Sequence, residues 1–275
     1  MTTRTWFITG VSKGLGREMA EQLLRRGDRV AGTVRDLTSV TPLVEAYGKR
    51  FRADLLDVTD TAAVRRVVGA AFRDLGTIDV VVNNAGYGLF GAAEELTDAQ
   101  IIAQIDTNLV GSIQVVRAAL PHLRAQGGGR LIQISTYGGL ATNPGASLYH
   151  ASKWGIEGFM ESTAKDVAPF DIGVTLVEPG GARTDFRFGS LQMAEPMAAY
   201  DTSPAAMTRG ARDRSRPPIG DPAKMVARII DSADRTPAPR RLVLGSDSYR
   251  FIHTALTERL AEIEAQHDLA HSTDA

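Results

Sequence analysis

Tyr149 and Lys153 stand four residues apart in the run Tyr149-His150-Ala151-Ser152-Lys153. On an α-helix, positions i and i+4 share a face, so a phenol and an ammonium so spaced point into one cleft. A free phenol titrates near pH ~10, too high for easy proton exchange at neutrality. A nearby ammonium favours phenolate and draws that value down, as a positively charged oxidised nicotinamide also would. Such a pair suits protonation of a carbonyl oxygen while hydride reaches the carbon, or the reverse reaction. Taken alone, Y-x-x-x-K is common among surface pairs, so its weight depends on what accompanies it.

The first companion is the run Thr9-Gly10-Val11-Ser12-Lys13-Gly14-Leu15-Gly16, between an apolar strand and a helical pattern. Its glycines allow a tight turn, close backbone approach to a pyrophosphate, and close packing of helix on strand. The helix N-terminus adds free N–H groups and a positive dipole end. The spacing is not G-x-G-x-x-G, and the Lys-Ser/Thr ending of an ATP loop is missing, which points away from ATP. A second strand ends Thr33-Val34-Arg35-Asp36. Val34 occupies the place where NAD-binding chains carry an acid for the ribose 2′-hydroxyl. Arg35 and Lys13 are placed to clamp a 2′-phosphate. NADP(H) is therefore the expected cofactor, with Asp36 leaving NAD(H) possible.

These groups need a scaffold, and the hydrophobic pattern supplies one. Apolar runs at 5–9, 29–34, 50–55, 78–82, 130–135, 172–177 and 241–244 read as strands. Helical periodicity covers 15–26, 98–125, 148–168 and 224–233, and a further helix precedes the fourth strand, with Thr59 as its cap and Ala63, Val64, Val67, Val68, Ala71, Phe72 and Leu75 in the helical pattern. Pro121 is expected to bend the end of the 98–125 helix. Near-continuous apolar strands alternating with helices imply a parallel sheet covered on both faces, an α/β fold. One domain spanning 1–275 is expected, with 185–221 as a lid insertion and 267–275 as a flexible tail.

Composition narrows the possibilities further. The 275 residues carry 31 Lys+Arg against 32 Asp+Glu and no cysteine. That balance offers no electrostatic case for nucleic acid. The missing cysteines remove disulfides, thiol nucleophiles and thiolate metal sites. His267 and His271 lack a third ligand, so no metal is expected. No apolar run approaches the roughly 18 residues of a membrane span, and Trp6-Phe7-Ile8 runs into Thr9-Gly10 without a leader pattern, so a cytoplasmic location is expected.

Together the motifs closely resemble the short-chain dehydrogenase/reductase family. Thr9-Gly10-(x)3-Gly14-x-Gly16, Asn83-Asn84-Ala85-Gly86, Asn108, Tyr149-(x)3-Lys153 and Pro179-Gly180 occur in the family's order and with similar spacing, from about residue 4 to 186. The resemblance implies a Rossmann-like doubly wound sheet of seven strands, in the order 3-2-1-4-5-6-7. It implies NAD(P)-dependent interconversion of an alcohol and its carbonyl, in a homodimer or homotetramer. Residues 98–125 and 148–168 are the candidate interface helices.

Position by position, it implies Tyr149 as general acid/base and Lys153 as the group that lowers its pKa and binds the nicotinamide ribose. Asn108 would hold a relay water through its backbone. Asp57 would meet the adenine, Asn83 the adenine-side backbone region, and Thr184 the carboxamide. Gly10, Ser12, Lys13, Gly14, Leu15, Gly16, Arg35, Val58, Ala85, Gly86, Pro179, Gly180 and Ala182 complete the implied cofactor set. The family's catalytic serine is Thr136 in this chain, preceded by Ser135. A threonine hydroxyl still donates to a carbonyl oxygen, but its methyl restricts χ1 and takes substrate space. Neighbouring residues on a strand face opposite ways, which favours Thr136 over Ser135.

Tyr87, Phe90, Phe186, Phe188 and Met193 are the candidate substrate lining, which points to a rather apolar ketone, aldehyde or alcohol as the small-molecule partner. Arg209, Arg212, Arg214 and Arg216 read by default as a solvated basic stretch. The competing readings are a 3-oxoacyl thioester reductase and a protein that senses NADPH without turnover.

Overall fold

Strand β1 (Thr5–Thr9) is buried along its whole length, so neither of its faces is wet and it must lie inside a sheet covered on both sides. The computed structural model, which describes residues 3–215 and 217–275, places it there. β1 pairs in parallel with β2 (Arg29–Val34) on one side and β4 (Val80–Asn83) on the other, with Trp6 opposite Val30 and Val80. β3 (Phe51–Leu55), β5 (Gly129–Ile134), β6 (Ile172–Pro179) and β7 (Arg241–Leu244) complete a seven-stranded parallel sheet in the order 3-2-1-4-5-6-7. This is the doubly wound α/β architecture expected from the sequence.

Alternate side chains of each strand feed two cores. Phe7, Val81 and Leu131 pack with Val64 and Val68 of α3 (Thr61–Leu75), Val115 of α5 (Gly111–Ala125) and Ile156 of α6 (Ser147–Val167). Trp6, Ile8 and Val80 pack with Leu23 of α1 (Gly14–Arg26), Leu43 of α2 (Thr41–Tyr47) and Ile229 of α7 (Pro222–Ala233). Strand order reverses direction between β1 and β4, and in such sheets the crevice at the carboxyl ends of these strands is where ligands bind.

Local signals explain most boundaries. α1 ends at Gly27, whose φ of +98° lets its N–H reach back to the Leu23 and Leu24 carbonyls after Arg25 and Arg26. The cap of α3 is Asp60, which accepts from Ala63 N at 2.9 Å, rather than Thr59, whose hydroxyl instead donates to Asp57. The 98–125 segment departs more. α4 (Asp98–Ile105) runs into a π turn at Asp106–Val110 before α5, and α5 continues through Pro121 to Ala125. The interruption thus falls at Asn108, not at the proline.

The 185–221 segment forms a roof of short turns at Phe186–Ser190, Ala198–Tyr200 and Pro204–Arg212. Its neck is closed where Gly220 N donates to Gly181 O at 2.9 Å and Arg183 N to Gly220 O at 3.0 Å. Gln192–Met193 pairs in parallel with Leu89–Phe90, tying the roof to the chain leaving β4. Two further helices close the chain, α8 (Ser246–Glu264) and the short α9 (His267–His271) within the expected tail. Arg216 lies outside the described residues. No described helix is long and apolar enough to cross a membrane.

Candidate active site

At the crevice beside β1 and β4 lies a cavity of about 630 Å³. Gly10, Ser12, Lys13, Gly14 and Leu15 line one end of it, where β1 turns into α1. Gly10 and Gly14 have φ of +74° and +62°, values that side chains rarely allow. Gly16 stands behind them, off the lining, where a Cβ would meet the Gly10 carbonyl oxygen at 2.3 Å. The turn is pinned from β4: Asn84 Nδ2 donates to the carbonyls of Thr9 (2.9 Å) and Gly10 (2.8 Å). The N–H groups of Asn84 and Ala85 both donate to Thr9 Oγ1 at 3.0 Å. This cradle, with bare backbone at a helix N-terminus, fits the pyrophosphate of a dinucleotide.

Arg35, Asp57 and Val58 line the same end of the cavity, as do Ala85 and Gly86. Arg35 is exposed, with no ion pair among the described residues, and its charge reaches Asp57. The Asp57 carboxyl is held below its ordinary range, chiefly because it accepts from Thr59 N. Asp36 is turned elsewhere. It accepts from Thr38 N and Oγ1 at 2.9 and 2.8 Å, capping the turn Leu37–Val40. Lys13 Nζ donates to the Gly189 carbonyl in the roof at 2.7 Å rather than reaching toward Arg35. Asn83 is also off the lining: it is buried and donates to Ser112 O at 3.0 Å, so its neighbour Asn84 is the residue that touches the glycine turn.

Tyr149, Lys153, Thr136 and Ser135 meet in the middle of the cavity, between the ends of β5 and β6 and the first turns of α6. Lys153 Nζ donates to Ile134 O at 3.0 Å and lies 5.9 Å from the centre of the Tyr149 ring. The expectation that the ammonium draws the phenol down is reversed by burial. Burial pushes the Tyr149 phenol up, the nearby Tyr137 phenol adds to this, and a hydrogen bond with Thr136 opposes it. Burial also brings the Lys153 ammonium down to about 8, against the pull of the Glu157 carboxylate one helical turn along. Thr136 Oγ1 donates to Pro179 O at 3.3 Å and accepts from Gly138 N at 3.4 Å. Ser135 Oγ is buried without a partner among the described residues.

Asn108 lies behind this group, not on the lining. Its side chain clasps the backbone of Tyr87, donating from Nδ2 to the carbonyl (2.8 Å) and accepting from the N–H at Oδ1 (3.0 Å). Gly86 fits between Asn108 and Lys153, since a Cβ there would stand 3.0 Å from Asn108 Oδ1. The π turn puts Asn108 where the regular helical ladder is broken, a feature frequent at functional sites.

Pro179, Gly180, Ala182 and Thr184 carry the lining toward the roof. Of the candidate substrate residues, Tyr87, Phe90 and Phe186 line the cavity, with Phe90 and Phe186 ring centres 5.9 and 6.3 Å from that of Tyr149. Phe188 and Met193 do not. Phe188 is exposed under the Arg214 guanidinium at 4.4 Å, and Met193 is engaged in the short roof strand. Tyr137, Asn143 and His150 belong to the lining too: adjacency to Tyr149 places His150 on the same helix beside the site and Tyr137 follows Thr136, whereas Asn143 carries no such signal in the sequence.

A family model described as short chain dehydrogenase matches residues 4–194. The chain is 36% identical to an oxidoreductase of Botryotinia fuckeliana, BOA17, across 98% of each. It is 34% identical to retinol dehydrogenase 8 of Bos taurus, covering 86% of this chain and 81% of that one. Among solved structures, a short-chain dehydrogenase from Streptomyces avermitilis is 36% identical and superposes over the full length of both chains with a TM-score of 0.93.

Proposed function

The chain belongs to the short-chain dehydrogenase/reductase family of oxidoreductases, and from that premise we propose that it interconverts rather apolar ketones or aldehydes and their alcohols with NADP(H), using Tyr149 as general acid/base. The observation that carries this reading is the convergence of Tyr149, Thr136 and Lys153 on the cavity that begins at the glycine cradle. Burial holds the phenol above its ordinary value, so its proton is in place at neutrality, and release to a carbonyl oxygen depends on positive charge that favours phenolate. The Thr136 hydroxyl orients the substrate oxygen against Tyr149. Lys153 fixes the ribose side of the cofactor and supplies positive charge as the phenolate forms. The cofactor supplies or accepts the hydride when bound.

Preference for NADP(H) is supported by Arg35 at the rim, by Val34 in the acidic residue's place, and by Asp36 being committed to Thr38. In this reading Lys13 exchanges the Gly189 carbonyl for the 2′-phosphate. An apolar substrate is supported by Tyr87, Phe90 and Phe186, and by the name of the retinol dehydrogenase relative. The family's homodimer or homotetramer belongs to the same proposal, with Ile101, Ile102 and Val110 exposed on the candidate interface segment.

The test is a carbonyl and alcohol panel run with NADPH/NADP and NADH/NAD in parallel. Apolar ketones or aldehydes should turn over with NADPH. Tyr149→Phe should lower kcat by about 10²–10⁴ while leaving NADPH binding in place. Lys13→Glu with Arg35→Asp should raise the KM for NADPH sharply. Binding of NADPH with no turnover across the panel would make the protein a sensor instead, and unaltered NADPH kinetics in the charge-reversed variant would remove the clamp.

A further inference from the structure

Helix α8 has two stripes, and only one is covered. Its inner stripe docks on the body: Ser248 and Ile252 are buried, Ser248 Oγ donates to Glu178 O at 2.7 Å, and Arg259 lies over the Trp154 ring at 4.4 Å. One residue further round runs Tyr249, His253, Leu256, Leu260 and Ile263, all exposed. Tyr249, Leu256, Leu260 and Ile263 keep 63%, 45%, 56% and 68% of their surface open, and every residue from Leu260 onward is exposed. The gaps between stripe positions are four, three, four and three, the 3.5-residue repeat of a helix seam that faces another helix. An apolar stripe of this length left open to water marks an interaction surface.

We infer that α8 pairs antiparallel with α8 of a second copy of this chain. With Leu256 set against Leu260 of the other copy, His253 falls against Ile263. Each layer then occurs twice about a two-fold axis, as an isologous contact requires. In the same register Arg250 on one flank lies beside Glu264 of the other copy, again twice, whereas a parallel pairing would set Glu264 opposite Arg259, which its own body holds over Trp154, and would leave Arg250 opposite Gly245. The charge pattern therefore selects both the partner and its direction. A membrane surface is a poorer occupant. Glu258, Glu262, Glu264, Asp268 and Asp274 flank the outer half of the stripe with only Arg259 to oppose them, whereas helices that lie on membranes are rich in Lys and Arg.

The test reads association of the full chain, so it is independent of the enzymatic proposal. Light scattering behind gel filtration and sedimentation velocity should show self-association. Leu260→Glu with Ile263→Glu, both at exposed positions, should remove one step of it, tetramer to dimer or dimer to monomer, with a dissociation constant raised about 100-fold. Arg250→Glu should weaken the same step, and adding Glu264→Arg should restore it. The chain has no cysteine of its own, so mixing a Leu256→Cys chain with a Leu260→Cys chain under mild oxidation should yield a cross-linked pair that neither chain forms as fast alone. A monomer at all concentrations, an unchanged mass in the double glutamate variant, or no rescue by the double charge reversal would overturn the pairing. Flotation of the wild-type chain with phosphatidylcholine–phosphatidylserine vesicles, lost in the glutamate variant, would assign the stripe to a membrane instead.

Discussion

His150 shows how one buried ring beside a reacting group sets a pH limit on the fold. Its Nδ1 accepts from Asn143 N at 3.3 Å, and burial brings its pKa down from 6.5 to about 4, so the ring is neutral through the physiological range. The unfolded chain binds a proton there between pH 6.5 and 4 that the folded chain refuses. Stability from this site is thus complete above 6.5 and declines as the pH falls toward 4, by on the order of 3 kcal/mol. Urea unfolding of His150→Gln at pH 7 and pH 4.5 should show a shallower acid loss than the wild type; an equal loss would place the acid sensitivity elsewhere. At this scale much of the site was legible. Tyr149 and Lys153 follow from a four-residue spacing, and the glycine turn from its place between strand and helix. What spacing could not show is the environment: that burial outweighs the ammonium at Tyr149, that Lys13 bonds the roof, or that Asn84 rather than Asn83 holds the cradle. Those depend on contacts between residues distant along the chain.

Among the elements, the β1–α1 turn has little slack, because what crowds it is backbone. A methyl at residue 16 would stand 2.3 Å from the Gly10 carbonyl and 2.4 Å from Asn84 Nδ2, so the turn would have to open. Gly16→Ala should weaken NADPH binding at least tenfold and lower stability by about 1–3 kcal/mol. Gly158→Ala, on α6 with nothing within 4 Å of its new methyl, should raise stability by about 0.4–1 kcal/mol, and titration calorimetry with thermal melts separates the two. Element boundaries were legible where caps and periodicity agree, as in α1. The 98–125 rod was read as unbroken because an inserted π turn leaves apolar residues on both sides of it in plausible helical spacing. α8 escaped because Gly245 starts it without a side-chain cap, no glycine stops it, and much of its apolar content faces outward.

At the level of the whole molecule, the edge strand β7 is fastened through charge. Arg241 pairs with Glu157 of α6 at 2.6 Å, with Glu161 of the same helix, and with the fully buried Glu178 of β6. Burial, with Glu157 nearby, raises Glu178 to about 7 in spite of that partner. A carboxyl so raised contributes stability below its ordinary value near 4.5 and loses it as the pH climbs through 7. Arg241→Met would leave these carboxylates facing one another. It should cost about 3–5 kcal/mol at pH 8 and less at pH 5.5, where they can take up protons, as chemical unfolding at the two values would show. The apolar runs imply a parallel sheet covered on both faces and the family resemblance implies its strand order, whereas this knot was not legible, because Arg241 lies 63 to 84 residues from its partners along the chain.

The closed neck of the roof has a consequence for inheritance. Gly181 and Gly220 are bonded to each other at the neck, so the ends of the intervening stretch are held together at the sheet and a change of length is taken up beyond the anchors at Gly189 and Gln192–Met193. Lengthening such a loop is cheap, about 0.6 kcal/mol for each doubling. Lineages can therefore rewrite what the cavity admits by changing 184–219 alone, keeping the cradle and the Tyr149–Lys153 pair untouched, and a segment exchanged from a relative at those two glycines would carry its selectivity with it.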